Sequence, residues 1–222
     1  MADMGPVDFI KEKPEFYLQH GKYTAPGKVV SEKVVECKKL FGLEKRLEYI
    51  TGIIRGLGVF PDSDEKYRLR RARGAEDILA SNKLTGCVDY SLILLSMVRE
   101  LGIPARYVET FRQDFFDNPD KDGVSGHIFV DLFVDGEWRE YNPAKGFVPS
   151  GGYHLVIPEK KNELGNQHMR WHEYVPIAKG LDFSDLRLLQ DGDMRGTRIA
   201  INDFDDMRKY IGEFKTLNGL VA

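Results

Sequence analysis

Apolar residues recur at helical spacing through the first hundred positions and at strand spacing afterwards. From Val30 to Leu57 they recur at helical spacing (Val30, Val34, Cys37, Leu40, Phe41, Leu47, Ile50, Ile53, Ile54, Leu57), the stripe of an amphipathic helix, with Gly42 and Gly52 as points where it could divide in two. Gly58 and Pro61 end it, and a second helical stretch runs roughly from Asp64 to Ser81. A third begins at Cys87 and is apolar on nearly every side until Gly102 and the Ile103-Pro104 pair force an extended chain. A helix without a polar face belongs at the centre of a fold, so whatever sits at its first residue is rigidly held.

Beyond Pro104 the period becomes two. Residues Ala105 to Phe111 and His127 to Val134 read as strands, Asp135-Gly136 as a two-residue hairpin turn, and Trp138 to Tyr141 as the return strand. Along the middle strand Ile128, Val130, Leu132 and Val134 share one face, and His127, Phe129, Asp131 and Phe133 share the other. Bulk on both faces predicts a sheet covered at least partly on each side. Tyr153 to Ile157 and Glu173 to Ile177 are further strand candidates, and Asp203 to Leu217 reads as a closing helix capped by Asn202. Residues 1–28, with three prolines and the aromatics Phe9, Phe16 and Tyr17, read as an arm anchored on a single domain spanning 29–222. The predicted class is α+β, with N-terminal helices packed on an antiparallel sheet.

Composition changes this picture little. A net charge of −3 and a pI near 6.0 give no reason to expect nucleic acid or an anionic membrane as partner. The one basic cluster, Lys66 through Arg68, Arg70, Arg71 and Arg73, reads as a solvated helix face. Two cysteines without a CxxC pattern exclude a disulfide framework and a zinc ribbon. Residues 1–10 show no basic segment followed by an apolar run, and the longest apolar run, Leu92 to Leu95, is far short of a membrane span. The expectation is a cytoplasmic protein without metal or cofactor.

The chemistry concentrates at Cys87, His127 and Asn142. A free thiol titrates near 8.5 and only the thiolate is a strong nucleophile. Two devices could lower that value: the free N–H groups of the helix N-terminus, and an imidazole that takes the proton and stays as imidazolium. Counting outward from the Asp135-Gly136 turn pairs 134 with 137 and 129 with 142, which sets Asn142 diagonal to His127. Its amide oxygen could then accept from one ring nitrogen and leave the other facing sulfur. The oxyanion formed after attack needs fixed donors; the N–H of Cys87 is one, and Asn82 is the first guess for another, against its plainer reading as a turn residue.

The blocks Gly86-Cys87-Val88-Asp89-Tyr90-Ser91, Arg99 to Arg106, Gly126-His127, Phe133 to Trp138 and Tyr141-Asn142-Pro143, in that order, resemble the core of the transglutaminase-like superfamily. The resemblance covers roughly residues 81–145, and a later stretch, Tyr174 to Asp182, is similar to a segment following that core in microbial members. It implies a papain-like α+β cysteine-protease fold with Cys87 as nucleophile, His127 as base and acid, and Asn142 where the family usually has Asp. The upstream tryptophan that helps animal transglutaminases bind the oxyanion has no counterpart, since Trp138 and Trp171 both lie downstream of the cysteine. The reading that follows is cysteine-dependent acyl transfer or hydrolysis of peptide or isopeptide-type amides through a thioester. The alternatives are a protein-glutamine transglutaminase and a non-catalytic peptide-binding module that keeps the fold.

Other chemical residues carry plainer readings. Asp131, about 6.5 Å along the strand from His127, is read as solvated or paired with a loop rather than as a rival orienter. His168 and His172 stand four apart, but without the interior glutamate of a zincin, and are read as structural. His20 and His154 have no nameable partners, Arg106 resembles the family's Ala-Arg at a strand start or is only a surface cation, and Cys37 reads as a packed core thiol. Asp89 and Tyr90 are assigned to the first turn of the helix, and the acidic stretch Asp114 to Asp122 to a cleft border that would favour basic peptides.

Overall fold

The computed structural model describes residues 13–114, 126–148, 152–158, 169–189, 198–199 and 204–219. Among the described residues a 3-10 turn (Pro14–Leu18) and five α-helices precede the main sheet: α1 (Lys28–Lys38), α2 (Leu43–Gly56), α3 (Asp64–Leu69), α4 (Ala75–Ser81) and α5 (Cys87–Glu100). A short parallel pair, β1 (Gly58–Val59) and β2 (Lys83–Leu84), ties the ends of α2 and α4 together. Gly42, at φ +84°, is the break between α1 and α2, whereas Gly52 stays inside α2. The helix expected over 64–81 is two helices: the chain turns between them through Arg71, at φ +60°, and restarts at Gly74.

The sheet follows as β3 (Ala105–Arg112), β4 (Gly126–Val134), β5 (Glu137–Asn142), β6 (Gly146–Phe147), β7 (Tyr153–Pro158), β8 (Met169–Gly180), β9 (Leu186–Leu188) and β10 (Arg198–Ile199), with α6 (Phe204–Leu217) after it. Its order is β10-β9-β8-β3-β4-β5-β6, with β7 also on β8, and every pairing is antiparallel. The β4–β5 hairpin has the predicted register, with Val134 opposite Glu137 and Val130 opposite Tyr141. Asp135 and Gly136 both have positive φ, as a two-residue turn of this kind requires. The strand β8 runs well beyond the predicted 173–177, because it pairs with β7 at one end and with β3 and β9 at the other. Asn202, the expected cap of the last helix, lies outside the described residues, as does Phe9.

Helix α5 is the centre, as its all-round apolarity predicts. It is buried from Val88 to Arg99 except at Tyr90, with α1, α2 and α4 on one side and β3 and β4 on the other. Ile128, Val130, Leu132 and Val134 join that core, while Val108, Phe129, Tyr153 and Tyr174 form a second cluster on the opposite face. The sheet is therefore covered unequally, its larger core on the helix side.

The arm is held by buried Arg99 near the end of α5. Its guanidinium donates to the Tyr17, Ala105 and Leu181 carbonyls and to the Thr24 hydroxyl. Burial drops its pKa to about 10, so it stays charged at neutral pH. Tyr17 is fully buried edge-on against Trp138, which makes it the arm's anchor.

Candidate active site

Cys87 is the first residue of α5. Gly86 before it has φ +152° and ψ −153°, a conformation open to glycine and strained for any side chain, and no side chain caps the helix. The N–H groups of the first turn are therefore left to favour an anion at the sulfur. Asp89 secures that turn: one carboxylate oxygen accepts from the Thr85 N–H and from Arg73, each at 2.7 Å. Asp89 is thus more than a match for the helix dipole. It holds the approach to the nucleophile.

On the sheet side, the backbone N–H of Ile128 lies near the sulfur and favours its charged form. Ile128 directly follows His127, so thiol and imidazole come from adjoining positions. Gly126 is required here by close approach, because a Cβ would lie 2.8 Å from the Thr110 carbonyl oxygen and against the Phe111 ring. The His127 ring stands edge-on to Phe129 at 5.0 Å and tilted to Tyr174 at 5.9 Å, which limits its orientation. Among the described residues no hydrogen bond joins Cys87 to His127; they meet through the Ile128 peptide.

Asn142 and His127 do meet, with Asn142 Nδ2 3.3 Å from His127 Nε2. Helix α2 fixes this corner: Thr51 bonds the Tyr141 hydroxyl at 2.9 Å, and Arg55 donates twice to the Ala144 carbonyl. The amide, however, faces opposite to the expectation. Its oxygen accepts the Ala144 N–H at 2.9 Å in a tight Asx-type turn, which aims the NH2 group at the ring. An NH2 group can only donate, so Nε2 accepts and the imidazole is neutral with its proton on Nδ1.

The electrostatics agree with a neutral ring. Burial, then the charge of Lys145, pull the His127 pKa from 6.5 to about 4. Burial pushes the Cys87 thiol up; Arg70 and Arg71 oppose it, Glu109 adds to it, and the Ile128 N–H opposes it. The expected resting ion pair is therefore corrected: at neutral pH the free site holds a thiol and an uncharged imidazole. The ring lies where low dielectric penalises charge, and the amide offers it no acceptor.

Several other sequence readings change. Arg71 and Arg73 do not coat a solvated face; their side chains are only 6 % and 10 % exposed, in ion pairs with Glu109 and Asp89. The sequence reading missed both arginines, and their spacing around an interrupted helix with Gly74 nearby was the available signal. Asp131 is buried, not solvated. Arg106 and Lys179 pair with it at 2.8 and 2.9 Å and outweigh the cost of burial, so its pKa falls, and Tyr153 donates to the same carboxylate. Arg106 is accordingly no surface cation.

Asn82 is exposed, the left-handed C-cap of α4 with its carbonyl accepting the Gly58 N–H, which fits the plainer reading. His172 stands on β8, where a four-residue step is not the helical repeat the histidine pair would need; His168 lies outside the described residues. His20 does have partners, the Thr24 carbonyl and Glu100. Cys37 is fully buried with its thiol near the Arg46 carbonyl. Of the acidic stretch, only Asp114 is described, and it pairs with Arg112. Among the described residues no group of three or more His, Cys, Asp or Glu converges as a metal site, and no helix is long and apolar enough to cross a membrane.

Residues 50–143 match the model of the transglutaminase-like superfamily. That segment is similar to a transglutaminase-like core. It contains Cys87, His127 and Asn142, and begins about thirty positions before the motifs that first pointed to it, so that it also takes in Arg71. Among solved structures, one from Cytophaga hutchinsonii, described as a putative cysteine protease, superposes with a TM-score of 0.50 at 19 % identity. The match covers 84 % of this chain and 52 % of that one, so this chain spans about half the length of that structure. The likeness establishes the papain-like, transglutaminase-like fold of helices on an antiparallel sheet. No curated protein matches the chain.

Proposed function

We propose that the transglutaminase-like core is a cysteine hydrolase that cleaves peptide or isopeptide-type amides through a thioester. The observation that carries this reading is the position of Cys87: a thiol at an uncapped helix N-terminus, near the peptide that bears His127, with Asn142 on the imidazole. Cys87 is the nucleophile, His127 the base and then the acid, and Asn142 sets the ring.

Because thiol and ring rest uncharged, proton transfer accompanies attack. The Asn142 amide first turns over, giving up the Ala144 N–H, so that the ring proton sits on Nε2 against the amide oxygen; the freed Nδ1 then takes the thiol proton as sulfur bonds the carbonyl carbon and the C=O π electrons move onto oxygen. On collapse the C–N bond breaks, and the proton leaves with the amine. Water then loses a proton to His127 and attacks the thioester, and the C–S bond breaks to regenerate the thiol. An amine in place of water would make the same acyl-enzyme a crosslinker.

The test is cleavage of a peptide library by the wild type and by Cys87→Ala, with a primary amine added in parallel. Hydrolysis that vanishes in Cys87→Ala supports the reading. Amine incorporation exceeding hydrolysis would convert it to transamidation, and identical profiles for the two proteins would end it.

A further inference from the structure

Beneath the N-terminus of α5, the turn between α3 and α4 carries a second feature. Arg71 holds a left-handed backbone at φ +60°, a conformation that costs stability in any residue but glycine. Its Nη2 donates to both oxygens of Glu109, at 2.8 and 2.9 Å, and the Tyr107 hydroxyl donates to the same carboxylate at 3.3 Å. Phe183 lies under the guanidinium, 5.5 Å from ring centroid to carbon. Its Nη1 is buried and has no hydrogen-bond partner among the described residues. Buried donors are almost always paired, so strain and an orphaned donor in one residue mark a group built to meet something else.

The place of this group is fixed by the sheet. Glu109 sits opposite Ile128 in the β3–β4 ladder, and the Ile128 N–H lies near the Cys87 sulfur. Glu109, Tyr107 and Ile128 all point to the face that α5 covers, as the strand alternation requires. The clamp of Arg71 on Glu109 is thus one strand away from the nucleophile.

The charges facing the sulfur are Arg70 and Arg71 from the turn and Glu109 from β3, with the uncharged Tyr107, Tyr90 and Tyr174 also near it and His127 neutral on β4. Two cations and one carboxylate leave a single positive charge. One anion balances it, and the acyl-transfer step creates one.

We propose that Arg71 is a catalytic residue: its unpartnered Nη1 edge, aimed by Glu109, binds the carbonyl oxygen of the amide and the oxyanion that forms there. It acts as the second donor beside the Cys87 backbone N–H. This rests on the reading of Cys87 as the nucleophile. The bonds made and broken are those of the hydrolysis above; Arg71 moves no proton and supplies only fixed N–H dipoles and charge where negative charge appears. Glu109 is a positioning residue, since it acts through Arg71.

The experiment uses the full chain and two variants, Arg71→Lys and the double variant Arg71→Gln/Glu109→Gln, which removes both charges and leaves two amides that can pair. For each, kcat and KM are measured on a peptide cleaved by the wild type, and the pH midpoint of iodoacetamide labelling at Cys87 is followed by peptide mapping. The expected result is a loss of about 10²–10³-fold in kcat for the double variant and at least about tenfold for Arg71→Lys, with KM within about threefold. The labelling midpoint of Arg71→Lys, which keeps the charge, should stay close to that of the wild type. A purely structural arginine would lower the urea midpoint and leave kcat unchanged, so kcat within threefold of wild type in the folded variants overturns the proposal. Arg71→Lys alone decides if the double variant does not fold. A wild-type chain without Cys87-dependent cleavage overturns the parent reading and this one with it; wild-type kcat in the Arg71 variants overturns this one alone.

Discussion

Two buried ion clusters lie on opposite faces of the same sheet, and they are finished to different degrees. On the face away from the helices, the Asp131 carboxylate takes Arg106, Lys179 and the Tyr153 hydroxyl, and among the described residues this cluster leaves no buried side-chain polar atom unpaired. On the helix face, Arg71 meets Glu109 and Tyr107 but keeps one nitrogen without a partner among the described residues, and a strained backbone. A network satisfied from within is a structural joint. One left open beside a nucleophile is shaped for a ligand. The number of charges is similar; the unmet hydrogen bond separates them.

The comparison can be broken most directly at Asp131. Asp131→Ala strands two buried cations, and we expect a loss of about 3–5 kcal/mol in urea unfolding, with Cys87 labelling unchanged in the protein that remains folded. A loss under about 1 kcal/mol would mean that the cluster is not the joint it is taken to be.

His127 gives the next largest effect, and its sign follows from the lowered pKa. Between about 4 and 6.5 only the unfolded chain binds its proton, so this contribution is fully present above pH 6.5 and is lost as pH falls to about 4. The whole window is worth roughly 3 kcal/mol. Replacing His127 with Gln removes the titration, so its stability should fall less steeply than that of the wild type across this range. Parallel curves would show that the ring is not held neutral.

Asn142→Asp sharpens the picture of the ring. One carboxylate oxygen can keep the Ala144 N–H while the other accepts from Nε2–H, so imidazolium becomes the favoured state and the His127 pKa rises by one unit or more. NMR titration of the ring reads this directly. Most activity should survive in Asn142→Asp and be lost in Asn142→Leu; equal losses would remove the orienting role.

The smallest effect belongs to Asp89. Asp89→Asn keeps an acceptor for the Thr85 N–H but weakens the Arg73 pair, and we expect about 1–2 kcal/mol of destabilisation. Amide exchange at Thr85 and Cys87 should speed up. Unchanged exchange would mean that the turn holds without the carboxylate.

Much of the site's framework was legible in the chain. Periodicity located α5 as the buried centre, Asp135-Gly136 set the hairpin register, and that register brought Asn142 to His127. The direction of the Asn142 amide was missed although its cause is local: Asn-Pro-Ala after a strand is itself a turn signal, and the turn claims the oxygen. Arg71 was missed for a different reason. A run of arginines looks the same in sequence whether solvent or a carboxylate 38 positions away receives it.

What the sequence determined by itself was the order of elements, their apolar faces and the residue types able to do thiol chemistry, because each depends on neighbours within a turn or two. Only the tertiary structure decided which charges lose water together, and therefore which groups are ionised. Desolvation and Coulomb energies depend on distances between residues far apart along the chain, and folding alone sets those distances.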